Sequence, residues 1–487
     1  LSKDKNHKDK NRAVTTGAHE GEERTAPVND RREIFGWIMY DWANSAFYTT
    51  VVSTLLGPYL TLLAQRHVGE NGKVFDLGLG SWSVVTAKSF FTQCVAIAVA
   101  SQVFLLPVLG AIADYTNLKK RLMAVFCYAG AAATCMLFFV TGSMYVLGGV
   151  LFIIANLCFG AAIVFYNSFL PEIVTEDKRD KVSSSGFAWG YMGGGLLLLL
   201  NFALVAQAPR LFAPFGLAEG DAKTLAVRLS LLSAGLWWGG FATVTFARLR
   251  SRAPARQLPP GKNFIKVGVG ELVSTFKQLA RLPHTLRYLV GYLFYNDGIQ
   301  TVINASSVFL AQELFISRGL PDNPAFLLGI FLLVQFVAFF GSLLFERIAR
   351  VVGTKRAILI SLVVWSAIVI YAYGFFHTTT QAWVLGGLIG LVIGGSQALS
   401  RSLFSRMIPR GHEASFFGIY EISERGTSWL GPQVFSIVVA TTNSYRNAIL
   451  SLIVFFIVGM VILLFTDTDR AVREAGNTLP EEVSSEG

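Results

Sequence analysis

The chain has 487 residues, 53% of them hydrophobic and only 15% charged, with a mean hydropathy of +0.51. A soluble protein carries nearer ~25% charge, so composition excludes a soluble enzyme, a disordered chain, a collagen and a disulfide scaffold. The net charge of +10 would also fit a nucleic-acid binder, and the positions of the basic residues decide against it below.

In chain order, residues 1–33 are polar, with no apolar core followed by a small-residue cleavage site, so no removable signal peptide is expected. Apolar stretches long enough to cross a bilayer then fall at about 34–63, 89–113, 121–141, 144–168, 183–206, 225–247, 285–312, 325–348, 356–376, 381–406, 414–440 and 446–466. Cys94, Cys127, Cys135 and Cys158 lie inside these stretches without a CxxC pair or a nearby histidine, so neither a metal nor any other cofactor is expected. Between the sixth and seventh stretches, Pro254, Pro259 and Pro260 interrupt a basic segment. Phe264, Val267, Leu272, Phe276 and Leu279 then recur at helical spacing, which predicts an amphipathic helix on the membrane surface. The tail after Thr466, with Glu481, Glu482 and Glu486, reads as acidic and disordered.

Placing both termini in the cytosol puts 32 of the 41 Lys and Arg on that side. The positive-inside bias therefore absorbs the net charge without any nucleic-acid partner. The organisation read from the chain is a cytosolic tail (1–33), a six-helix half (34–247), a cytosolic linker (248–284), a second six-helix half (285–466) and a cytosolic tail (467–487).

A weak internal repeat supports two halves. Gly110 and Asp114 before Lys119-Lys120-Arg121 are echoed by Gly341 and Glu346 before Lys355-Arg356, Pro171 by Pro409, and Gly186 by Gly418. Parallel six-helix repeats are how major facilitator transporters are built. Asp41-Trp42-Ala43-Asn44-Ser45-Ala46, Ala188-Trp189-Gly190-Tyr191, Tyr295-Asn296-Asp297-Gly298 and Gly395-Ser396-Gln397-Ala398-Leu399-Ser400-Arg401-Ser402 resemble the signatures of the major facilitator family of autophagy-related vacuolar amino-acid effluxers and their bacterial relatives. The resemblance covers nearly the whole chain. It departs from the superfamily loop pattern at Tyr115, where a basic residue usually follows the acid. It implies an all-α membrane protein of twelve transmembrane helices in two pseudo-symmetric six-helix halves, a multi-pass monomer of the cell (inner) membrane, or of the vacuolar membrane in a fungus. It further implies a solute exporter with amino acids as the suggested cargo. By the same resemblance Asp114 faces the start of the eleventh span and forms a cytosolic gate with Gly110, Lys119 and Arg121.

Ionisable groups inside a span are costly and mark function by default. Six stand out: Asp41, Asp297, Arg401, Glu421, Glu424 and Arg425. Glu421 and Arg425 are one turn apart and can pair; Glu424 and Arg401 form a second candidate pair. Four carboxylates against two guanidiniums leave an excess of negative charge that a proton or a cationic cargo would neutralise, and no histidine lies within a span. Asp297, Glu421 and Glu424 are therefore candidate proton carriers. A zwitterionic cargo needs a cation for its carboxylate and an acceptor for its ammonium. Arg401 or Arg425 opposite Asp41 or Asp297 could supply both, with Asn44, Asn167, Asn296 and Gln397 adding neutral hydrogen bonds and Trp42, Trp189, Tyr295 and Tyr420 lining the cavity or packing the core. Gly193-Gly194-Gly195 reads as close helix approach. The alternatives are efflux of a drug or lipid-like compound, which favours a mainly apolar cavity, and a membrane sensor or scaffold that no longer transports. An enzyme is not expected, since no catalytic constellation can be assembled from the chain.

Overall fold

The computed structural model describes residues 28–70, 72–76, 84–252, 264–321, 323–426 and 430–485. It is nearly all helical, with eleven helices long and apolar enough to cross a membrane among the described residues. In the first half these are α1 (Arg31–Val68), α2 (Phe90–Asp114), α3 (Lys119–Phe139), α4 (Tyr145–Ile173), α5 (Arg179–Leu211) and α6 (Glu219–Arg248). A linker helix α7 (Phe264–Ala280) leads to α8 (Pro283–Leu314), α9 (Pro324–Val352), α10 (Thr354–Gly374) and α11 (Thr379–Arg406). The eleventh membrane element is broken: α12 (Glu413–Glu421) passes into a π-helical turn (Ile422–Gly426), and α13 (Leu430–Thr442) resumes beyond it. The last long helix is α14 (Tyr445–Leu464).

The helix boundaries follow local chemistry. Asp30 caps α1 by accepting from Arg32 N–H, Pro283 and Pro324 open α8 and α9, and Thr378 closes a capping box with Gln381 at the start of α11. Gly353, at φ +88°, supplies the left-handed residue of the one-residue turn between α9 and α10.

Side chains from Trp37 to Leu249, joined by Ala414, form one apolar core, and side chains from Leu279 to Val472 form another. The two halves meet where α5 packs on α9 and α11, and where α12 packs on α2 and α4.

Three features differ from the sequence reading. The tail after Thr466 is folded: α15 (Thr468–Glu474), capped by Asp467, and α16 (Pro480–Ser485) follow α14. The Asn477 amide between them donates to the carbonyls of Arg406 and Ile408, and Ala471 and Val472 are buried, so the acidic tail has both a polar and an apolar anchor. The loop between α1 and α2 holds an antiparallel pair, β1 (Lys73–Asp76) and β2 (Val84–Thr86). The linker helix α7 packs against α2, with Leu279 and Thr275 buried and Phe276 half exposed, while Pro254, Pro259 and Pro260 lie outside the described residues. Val28 and Asn477 line one cavity, so both ends of the described chain lie at one end of the bundle, here termed the terminal end.

Candidate functional site

A charged layer is built where α1, α4, α5 and α11 converge. On α1, Trp37, Asp41 and Asn44 share one face by their spacing of four and three. That face approaches α5 closely because α5 presents glycines at 186, 190 and 193. A Cβ on Gly186 would fall 2.4 Å from the Asp41 carboxylate, and one on Gly193 2.7 Å from the Trp42 carbonyl.

Into this niche α11 inserts Arg401. Its Nη2 donates to Asp41 Oδ2 at 3.2 Å and to the Ser183 carbonyl at 3.0 Å, its Nε to Ser183 Oγ at 2.9 Å, and its Nη1 to Asn167 Oδ1 at 3.3 Å. Tyr166 donates its hydroxyl to the same Asp41 oxygen at 2.7 Å. The guanidinium lies against the rings of Trp37, Phe187 and Tyr166, with centroids 4.8, 4.3 and 5.5 Å away. Trp37 is itself fixed by stacking on Tyr166 and by donating to the Tyr166 carbonyl. Arg401 and Asp41 are 3% and 8% exposed, so this is a buried pair, which is tolerable only because nearly every donor is matched.

The pairing corrects one expectation: the ion pair described for Arg401 is with Asp41, where Glu424 was the candidate. In this conformation Asp41 and Arg401 face each other directly, with no open space between them.

Asn167 carries the layer further. Its Nδ2 donates to Glu421 Oε1 at 3.0 Å while its Oδ1 accepts from Arg401, so one amide bridges a cation and a carboxylate of the second half. The Glu421–Arg425 pair expected from helical spacing falls on an arginine whose side chain lies outside the described residues. Beyond Glu421 the π turn displaces backbone carbonyls from their helical partners, and Asn296 Nδ2 donates to the carbonyl of Glu424 at 3.2 Å. Asp297, next in α8, accepts from Gly431 N–H through Oδ2 at 2.8 Å. It is 1% exposed, and its Oδ1 has no hydrogen-bond partner among the described residues; nor has Asn296 Oδ1.

Gln397, one turn before Arg401, accepts the hydroxyl of Tyr191 at 2.6 Å. Trp189 stands two residues from Tyr191, some 200° round α5, against Trp42 and Phe339 and 45% exposed. The structure thus turns Trp189 away from the polar interior and puts Tyr191 there. Tyr295 and Tyr420 are fully buried in a cluster with Tyr288 and Tyr292, with Tyr295 also bonded to Ser400 Oγ, so both pack the core.

At the terminal end, Asp114 closes α2 and accepts from the N–H groups of Ala414 and Ser415 at 2.9 and 2.8 Å and from the Ser415 hydroxyl. These are unsatisfied amides of the first turn of α12, where the helix dipole also favours an anion. Gly110 permits the approach, since a Cβ there would meet the Ala414 carbonyl at 2.2 Å. Lys119 pairs with Glu172 on α4, and Arg121 is exposed. Sequence reasoning missed Arg179, which donates to the carbonyl of Ser405, and Asp180, which pairs with Arg406 at 2.9 Å and accepts from Thr354. Among the described residues, the hydrogen bonds that join the halves run from Tyr191–Gln397 down to this end. A cavity of about 430 Å³ opens below them, lined by Asp114, Lys119, Glu172, Arg252 and Glu413 among others.

Comparison with known proteins places this arrangement. A family model described as "Vacuole effluxer Atg22 like" matches residues 29–476. The uncharacterized MFS-type transporter YxiO of Bacillus subtilis is 30% identical over 446 residues, covering 91% of this chain and 97% of its own. Autophagy-related protein 22-1 of Penicillium rubens is 24% identical, covering 93% and 92%. Among solved structures, the proton:xylose symporter XylE superposes with a TM-score of 0.62 at 14% identity, covering 93% of this chain and 98% of that one. The Escherichia coli fucose:proton symporter FucP gives 0.61 at 12%, covering 90% and 98%. These two establish the fold: two pseudo-symmetric halves of the major facilitator type.

Proposed function

This chain belongs to the Atg22-like vacuole effluxer family of multi-pass major facilitator transporters, and from that premise we propose that it exports a small polar solute, with amino acids as the cargo class, by proton-coupled alternating access. The terminal end is cytosolic in this reading, as the distribution of Lys and Arg favours. The closed layer from Gln397 to Asp114 then makes the conformation one that is shut toward the cytosol.

The observation that carries the coupling is Asp297. A buried carboxylate with one oxygen on a backbone N–H and the other without a partner among the described residues is stable in a low-dielectric bundle only when neutralised. A proton does that with no further ligand, and giving it up on the other side couples the cycle to the gradient. The interior charges and amides of α1, α8, α11 and α12 suit a polar cargo better than a lipid-like one. The Atg22-like effluxer description of the family favours export.

Counterflow in proteoliposomes against a mixed panel of amino acids, sugars and organic acids tests the reading. Exchange of amino acids, accelerated by an imposed proton gradient, is expected. Exchange confined to another class would overturn the cargo, and indifference to the gradient would overturn the coupling.

A further inference from the structure

The guanidinium of Arg401 belongs to the second half of the protein, yet the groups described around it, Asp41, Asn167, Ser183, Trp37, Tyr166 and Phe187, all belong to the first half. It is a plug from α11 seated in a socket made by α1, α4 and α5. When the halves separate at the terminal end, as alternating access requires, the plug must leave. A buried guanidinium that loses its carboxylate without a replacement would make that opening prohibitive.

A replacement stands close by. Glu421, on α12 of the same half as Arg401, is fully buried and already shares Asn167 with it: the amide oxygen accepts from Arg401 Nη1 while the amide nitrogen donates to Glu421 Oε1. Asn167 sits on α4 and leaves with the first half. Its departure takes away one donor to Glu421 and one acceptor for Arg401, two groups of opposite charge carried on successive helices of the same half.

We infer that Arg401 exchanges carboxylates during the cycle, pairing with Asp41 across the halves when the terminal end is closed and with Glu421 within its own half when that end is open. Asn167 keeps the two pairings mutually exclusive. The exchange gives Arg401 a carboxylate in both states, and it leaves Asp41 facing the opened side with the Tyr166 hydroxyl still donating to it. This deepens the alternating-access reading above and rests on it.

The test reads conformation and needs no cargo. Ser405, 1% exposed beneath the layer, reports opening when replaced by cysteine. A water-soluble maleimide is applied to the full-length Ser405→Cys protein, with the labelling of the parent's four cysteines subtracted. Asp41→Asn weakens the closed pairing and should raise the labelling rate about tenfold. Glu421→Gln keeps the acceptor for Asn167 but removes the open-state partner, so labelling should fall about tenfold below the parent, and Glu421→Asp should return it toward the parent rate. Labelling of Glu421→Gln at or above the parent rate overturns the exchange. Should that variant fail to fold, Asn167→Ala decides: faster labelling supports the exchange, and an unchanged or slower rate overturns it. A protein that labels as expected but exchanges no amino acid would refute the cargo while leaving this inference standing.

Discussion

Two acids sit on the opening helices of the two halves, and the protein treats them in opposite ways. Asp41 on α1 is matched by an arginine and a tyrosine, inside a cage that fixes all three. Asp297 on α8 has one backbone N–H and an oxygen without a described partner. The first is a carboxylate whose charge is stabilised as part of a contact between halves. The second is a carboxylate whose charge is left to be removed. A buried charge with its counter-ion holds a conformation, whereas a buried acid without one is a place for a proton to come and go.

The difference is broken most directly at Arg401. Arg401→Ala strands Asp41 in the interior, and loss of one partner of a buried pair costs about 3 to 5 kcal/mol. The thermal midpoint in detergent should fall clearly, and Asp41→Asn added to it should recover part of the loss. A change of less than about 1 kcal/mol, the range of an exposed pair, would mean that water reaches the pair and that Asp41 and Asp297 differ less than their contacts imply.

Asp297→Asn probes the other side. The amide oxygen still accepts from Gly431 N–H, so folding should change by less than about 1 kcal/mol, but the amide cannot carry a proton. Concentrative transport driven by a proton gradient should be lost while exchange at equal pH persists. Equal accumulation by mutant and parent would remove Asp297 from the coupling path.

Gly110→Ala sharpens the comparison from a third position. Its Cβ would collide with the Ala414 backbone carbonyl, a group that cannot swing away, and overpacking of this kind costs about 1 to 3 kcal/mol. If Asp41 and Asp114 belong to one closure layer, this variant should raise the accessibility of a cysteine at position 405 as Asp41→Asn does. Its proton dependence should stay that of the parent. Altered coupling with unchanged accessibility would group Asp114 with Asp297 and separate it from the closure at Asp41.

The membrane helices were legible because each is a long apolar run, and the first-turn anion site was legible through the motif at Gly110 and Asp114. The break at Ile422–Gly426 was not, since a π turn needs no proline and Glu421 to Arg425 reads as an ordinary helical turn. The partner of Arg401 was also out of reach. Asp41 is 360 residues away, and which carboxylate an arginine meets depends on how the two halves rotate against each other, which neither helical period nor spacing records. The folded tail was hidden for a similar reason: Asn477 is anchored by carbonyls of Arg406 and Ile408 that only tertiary structure brings near.

One choice could have been read from the sequence, and it carries the smallest expected effect. Glycines at 186, 190 and 193 mark the face of α5 that meets α1. Taking Gly190 as that face's centre, Tyr191 lies about 100° to one side and Trp189 about 100° to the other. The two aromatics therefore cannot share an environment, and the hydroxyl that finds Gln397 on the second half decides which one faces the interior. Tyr191→Phe removes that single hydrogen bond and leaves the Gln397 oxygen to find another donor, a loss of about 1 kcal/mol. Because the bond joins the halves just above the Asp41–Arg401 pair, the loss should appear as a severalfold faster labelling at position 405. Trp189→Phe keeps an aromatic ring against Trp42 and Phe339 and should leave both labelling and cargo affinity at the parent's values. If the tryptophan variant moves cargo affinity and the tyrosine variant moves nothing, the interior face of α5 has been assigned to the wrong side.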